Sequence, residues 1–237
     1  MLILSHRGIG YSPNSLEALN KALSRGFSLE TDLRLSKDGK IIIIHDKSLK
    51  NSFGVDINTN ELNYKELINR DSKFINLIPD LENFIKFSAN GLKPGQVIAL
   101  HIKDYDSLKL IYKTCGIIKK YKLEKKVFIF DVLISYVKKI KKDYPKCKIG
   151  ISAAEKNYSP TIYTINGIKP YIQLVDIIWA DEWREGLYTK DFFDYYKKIK
   201  KSVYAISPEL HKSENHPLAD SPEKFWKSAS FFALQGI

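Results

Sequence analysis

SLETDLRLSKDGKIIIIHDKSL, residues 28–49, decides how this chain is read. Successive side chains of an extended chain alternate, so Leu29, Leu33 and Leu35 face one way while Glu30, Asp32 and Arg34 face the other. The polar SKDG that follows is a tight turn, and IIII (41–44) is a second apolar run ending at His45-Asp46. Residues 27–46 therefore read as a hairpin or a long bent strand pair.

Outward from this hairpin the periodicity alternates. Strand-like runs are LILSHR (2–7), FSLETDLRL (27–35), KIIIIHD (40–46), VIALHIK (97–103), VFIFDV (127–132), KIGISA (148–153), VDIIWADE (175–182) and SVYAISPE (202–209). Amphipathic stretches fall between most of them. One starts at Ser15, with Leu16, Leu19, Ala22 and Leu23 on one face; others cover 79–89, 107–121, 133–144 and 191–201. The last covers 221–236, with Ser221 as cap, Pro222 in the first turn and Gly236 as stop.

Regular alternation of this kind predicts a parallel α/β fold, and the number of units favours a closed (β/α)8 TIM barrel over an open sheet, as a single domain over 1–237. With 40–46 counted as an extension of the second strand, seven barrel strands are found. The eighth is expected where the chain stops, so the expectation is a truncated or continuing chain, or closure by another chain.

Composition bounds the rest. Hydrophobic residues make up 44% and charged residues 27%, the balance of a globular chain rather than a disordered one. No apolar run approaches the ~18 residues of a transmembrane segment. MLIL is too short, and lacks the basic flank, to read as a signal peptide, so the expected location is cytoplasmic. Cys115 and Cys147 sit in no metal-binding spacing and read as plain thiols. The formal charge of +11 comes largely from Lys-Lys pairs on helices. These read as solvated faces, with a secondary attraction for anionic substrates or membrane surfaces. No nucleic-acid-binding motif is present, so the expected partner is a small molecule. Oligomeric state is not encoded in any pattern found.

In a TIM barrel the active site lies at the C-terminal ends of the strands. Those ends carry His6-Arg7, Glu30 and Asp32, His45-Asp46, and His101-x-Lys103. Two carboxylates on one face of a buried strand are costly unless a cation lies between them, and a hard divalent ion such as Mg²⁺ or Ca²⁺ fits. Two nearby histidines suit general acid and base. Arg7 offers a planar fork and Lys103 a point charge for a phosphate.

HRG, PNS, E-x-D, KDG and HD, taken together over about residues 1–105, resemble the glycerophosphodiester phosphodiesterase family. LNYKELINR and LIPDLENFIKF add to the likeness. The resemblance implies a metal-dependent phosphodiesterase that yields glycerol 3-phosphate and an alcohol. It implies His6 and His45 as the acid/base pair, Glu30 and Asp32 as metal ligands, Arg7 and Lys103 as phosphate-binding groups, and Asn14 as a further substrate contact. It departs from the family at His101, where a Glu is usual. Either the imidazole is a third metal ligand, tilting preference toward Mn²⁺ or Zn²⁺, or water fills the gap, or the barrel binds a phosphate ligand without turnover. Farther along, Trp179 and Asp181 are candidates for the substrate's alcohol portion, while His211 and His216 are read as part of the loop beyond the last strand. A sugar- or nucleotide-linked phosphodiester is the alternative substrate.

Overall fold

Ser36 to Gly39 turns the chain back on itself. Gly39 takes φ 75°, its N–H donates to Ser36 O at 2.9 Å, and the Ser36 hydroxyl accepts from Lys40 N at 3.0 Å. The computed structural model describes residues 2–71, 73–89, 91–184 and 186–231. It divides into two compact units, Leu4–Ile129 and the part from Phe130 onward together with the first residues of the chain.

The first unit begins with β1 (Leu4–His6), α1 (Leu16–Ser24), β2 (Ser28–Leu35) and β3 (Ile41–Ile43). β1 lies parallel to β2, with His6 opposite Glu30. β2 and β3 form the antiparallel hairpin expected, pairing Arg34 with Ile42. Ser15 caps α1 by accepting from Ala18 N at 3.2 Å, and the helix buries Ala18, Leu19, Ala22 and Leu23. Three short helices follow, α2 (Lys50–Phe53), α3 (Tyr64–Asn69) and α4 (Phe74–Leu77). They close over Ile42, Ile44, Leu49, Leu67, Phe74 and Ile78 in a small apolar cluster. These helices are too short for periodicity to announce them. Next come α5 (Leu81–Ala89), β4 (Ile98–Ile102), α6 (Leu108–Lys120) and β5 (Val127–Phe130). β4 runs parallel to β2 and sets Asp32 beside His101.

The second unit contains α7 (Val137–Asp143), β6 (Lys148–Ala154), β7 (Ile162–Thr164), α8 (Ile165–Ile168), β8 (Ile177–Ala180), α9 (Lys190–Lys198), β9 (Ser202–Ala205) and α10 (Pro222–Phe231). β6, β8 and β9 are parallel neighbours, with Ser152, Trp179 and Tyr204 in one row. The short β7 and α8 were not expected; β7 adds to β6 beside Ser152. Apart from β3 and β7, seven strands are described, as counted from the sequence. The predicted helix stop at Gly236 and the start of an eighth strand lie outside the described residues. Among the described residues no helix is long and apolar enough to cross a membrane.

Candidate active site

The chain leaves β1 through Arg7 and Gly8, both with positive φ, 58° and 88°. Gly8 packs so closely on α1 that a Cβ there would lie 2.5 Å from the Ala18 carbonyl carbon. This tight exit holds Arg7 Nε 2.9 Å from Asp32 Oδ2. Asn14 returns to the same place. Its φ of 65° is one that Asn tolerates better than most residues. Its N–H donates to Arg7 O at 2.8 Å, and its side-chain Nδ2 donates to Asp32 Oδ2 at 2.9 Å. Its Oδ1 accepts from Thr31 Oγ1 at 2.7 Å.

Period two along β2 and the parallel register with β4 bring three ligand-type side chains together. His101 Nδ1 lies 3.2 Å from Asp32 Oδ1 and 3.7 Å from Glu30 Oε1. One ligand atom from each of Glu30, Asp32 and His101 falls within 4.8 Å of the others. Glu30 and Asp32 are 4% and 0% exposed. Glu30 Oε2 and Asp32 Oδ1 are buried without a well-formed hydrogen bond. Burial alone would raise the Asp32 carboxyl pKa; the contact with His101, then Arg7 and Lys103, outweighs it and holds the group well below the usual carboxylate range. Two buried carboxylates with orphaned oxygens beside an imidazole are a donor set that fits a divalent cation.

The two histidines flank this cluster. His6 Nε2 is 3.9 Å from Glu30 Oε2, and burial lowers its pKa against the opposing pull of Glu30. His45 Nδ1 is 2.6 Å from Asp46 Oδ1, and Ser52 Oγ donates to Asp46 Oδ2 at 3.1 Å. The His45 hydrogen bond keeps the Asp46 carboxyl below the usual range. Burial, helped by Lys103 and Arg7, also lowers the His45 pKa despite the pull of Asp32. On the other side of the ring, Lys103 Nζ lies 3.2 Å from His45 Nε2.

Beside these groups lies a cavity of about 310 Å³ with a polar end, Arg7, Asn14, His45 and Asp46, and an apolar wall that includes Tyr11, Phe53 and Leu77. The structure therefore gathers eight of the sequence candidates in the first unit: His6, Arg7, Asn14, Glu30, Asp32, His45, His101 and Lys103. Trp179 and Asp181 belong to the second unit. Trp179 is buried between Phe130 and Tyr204, with ring centroids at 4.3 and 5.9 Å. Asp181 Oδ1 is 2.5 Å from His211 Nε2. His211 and His216, read as part of a loop, are both buried, and His216 Nε2 is 3.2 Å from Glu182 Oε1. Sequence reasoning missed the Ser52 bond to Asp46, the ion pair of Arg34 with Asp104 and the Tyr11–Phe53–Leu77 wall, because the partners are distant in sequence or sit in irregular segments.

Solved structures share this fold along the whole chain. A Galdieria sulphuraria structure assigned as a glycerophosphodiester phosphodiesterase aligns over 100% of this chain and 92% of its own, with a TM-score of 0.76 and 18% identity. An Oleispira antarctica phosphodiesterase, solved with the product sn-glycerol-3-phosphate, aligns over 100% and 92%, with a TM-score of 0.71 and 16% identity. These likenesses place the chain among α/β proteins of the TIM-barrel class. The model of the glycerophosphoryl diester phosphodiesterase family matches residues 6–174, and the chain belongs to that family. A lysophospholipase D from Rattus norvegicus is 39% identical over 67 residues, a segment covering 27% of this chain and 21% of the relative. That match thus spans about a fifth of the relative's length.

Proposed function

We infer that the chain is a divalent-cation-dependent phosphodiesterase that hydrolyses glycerophosphodiesters to glycerol 3-phosphate and an alcohol. The observation that carries this reading is the meeting of Glu30, Asp32 and His101 within 4.8 Å, with Arg7 and Asn14 on Asp32 and Lys103 on His45. Family membership supports it.

Glu30, Asp32 and His101 would hold the cation. When bound, it supplies positive charge against the phosphodiester oxygens. Arg7 and Lys103 add charge-assisted donors for the same oxygens as negative charge develops. Asn14 keeps Asp32 aimed and contributes to the cavity wall. With Nδ1 donating to Asp46, His45 Nε2 accepts the proton of the attacking hydroxyl, either water or a neighbouring hydroxyl of the substrate, once Lys103 turns from Nε2 to the phosphate. Asp46 stabilises the charged ring that results. His6 is the second member of the pair: entering the step protonated, it gives that proton to the leaving alkoxide, and solvent resets both rings. The alcohol portion extends along the Tyr11–Phe53–Leu77 side of the cavity.

Mg²⁺ and Ca²⁺ are the hard ions that two carboxylates favour, while the imidazole of His101 brings Mn²⁺ and Zn²⁺ into range. The test is release of glycerol 3-phosphate from glycerophosphocholine by metal-stripped protein, before and after addition of each ion. Ion-dependent release is the expected result. Folded protein that releases nothing with any ion would overturn the reading, and binding of a phosphate ligand without turnover would replace it with a binding barrel.

A further inference from the structure

Arg34 lies two residues beyond Asp32 on β2, and its guanidinium bonds to two other segments. Its side chain is 12% exposed, which is costly for a guanidinium unless its donors are matched. They are matched on two separate segments. Arg34 Nε donates to the backbone oxygen of His45 at 2.8 Å, and Arg34 Nη1 donates to Asp104 Oδ1 at 2.5 Å. Asp104 Oδ2 in turn accepts from Leu35 N at 3.1 Å. Asp104 directly follows Lys103, whose own N–H donates to Leu33 O at 3.1 Å.

The two segments that Arg34 joins are those that deliver His45 and Lys103. His45 follows β3, a strand of three residues, whose exit is held to β2 by Ile44 N donating to Asp32 O at 3.0 Å; the Arg34 bonds add a tie from His45 to Asp104 at the exit of β4. We propose that Arg34 and Asp104 are positioning residues for the phosphodiesterase reaction, clamping the exit of β3 to the exit of β4 so that His45 Nε2 and Lys103 Nζ stay in register. Arg is required because one planar fork makes both bonds at once; a lysine has a single point of charge. The proposal rests on the reading of His45 as a proton-transfer residue, but its geometric half stands apart from turnover.

Both halves are tested with Arg34→Gln, Arg34→Lys and Asp104→Asn, the last retaining shape and most packing should the Arg34 variants fold poorly. The first readout is the ring-nitrogen NMR signals of His45 in metal-free protein. The clamp predicts that wild type shows a single ring state with the proton on Nδ1, and that the variants show shifted or multiple states. Unchanged signals in all folded variants would overturn it, whatever the activity. The second readout is kinetic. Misplacement by about 1 Å can cost roughly 10²-fold in rate, so kcat should fall by that order while KM and the Mn²⁺ affinity of the unliganded site hold. A parallel loss of Mn²⁺ affinity would mean that Arg34 merely supports β2, and the proposal would fall. The third is a double-mutant comparison: Arg34→Gln should cost little more in the His45→Ala background, and a full additional loss there would also refute action through His45. Absence of turnover in wild type would retire the phosphodiesterase reading and with it the catalytic role of the clamp, while the NMR result would still decide the geometry.

Discussion

Asn14 Nδ2 and Arg7 Nε both lie 2.9 Å from a single oxygen, Asp32 Oδ2. That oxygen is satisfied from the β1 side, while Asp32 Oδ1 lies 3.2 Å from His101 Nδ1. Replacing Asn14 by Ala removes the amide and forces an Ala into φ 65°. The expected loss is ~2–4 kcal/mol of stability, from a buried carboxylate that loses its amide hydrogen bond and keeps only Arg7, and from backbone strain. Asn14→Asp keeps the backbone preference but sets a second carboxylate against Asp32, and should cost stability in the metal-free protein that added cation partly restores. Urea unfolding and Mn²⁺ titration separate the two effects.

His6→Ala and His45→Ala are each expected to reduce kcat by ~10²–10⁴ while the fold is retained. Circular dichroism and thermal unfolding check the fold, and steady-state release of glycerol 3-phosphate checks the rate. A variant that keeps the full rate has no place in proton transfer.

His101 decides ion choice in this account. His101→Glu replaces a nitrogen donor by a third carboxylate, which should raise affinity for Mg²⁺ and Ca²⁺ and lower the relative preference for Zn²⁺. Calorimetric titration of metal-stripped protein with each ion measures this. An unchanged order of affinities would place His101 outside the coordination sphere.

In the second unit, burial lowers the His211 pKa, but the hydrogen bond and charge of Asp181, with Glu214, raise it further, so the net shift is upward. A histidine whose folded pKa is raised stabilises fully below its unfolded value of ~6.5 and loses that contribution as pH climbs through the folded value. The stability gap between wild type and His211→Gln should therefore be largest in mild acid and shrink toward alkaline pH. A gap that is flat with pH, measured by chemical unfolding, would show that the pair contributes by packing against Trp183 alone, where the rings stack at 4.9 Å.

Gly8 is a conformational test of the β1 exit. With φ 88° and a Cβ that would meet the α1 backbone at 2.5 Å, Gly8→Ala should cost more than the ~1 kcal/mol typical of an incompatible backbone angle alone. It should also weaken cation binding, because Arg7 and Asn14 move with it. Equal loss of stability without any change in Mn²⁺ affinity would separate the turn from the site.

The parts of this site that were legible in the sequence share one property: strand geometry places them. Glu30 with Asp32, and His101 with Lys103, are i and i+2 pairs, so alternation puts each pair on one face before any tertiary contact is known. His6-Arg7 and His45-Asp46 stand at the ends of apolar runs. The clamp from Arg34 to Asp104 spans 70 positions and rests on a backbone oxygen, which leaves no mark in residue type. The wall of Tyr11, Phe53 and Leu77 comes from a glycine-rich loop and two four-residue helices, where no period has room to appear. His211 lies beyond the last described strand, as expected, but its burial against Asp181 was not legible for a similar reason. Its partner Asp181 lies 30 positions earlier, in a different element.

The most direct test titrates metal-stripped protein with Mn²⁺ and follows bound ion by electron paramagnetic resonance and glycerophosphocholine hydrolysis in the same sample. The account predicts that glycerol 3-phosphate release rises in proportion to ion bound at the Glu30–Asp32–His101 cluster, and that Asp32→Asn abolishes both together. Hydrolysis that proceeds without the ion, or full occupancy of that cluster with no hydrolysis, would contradict it.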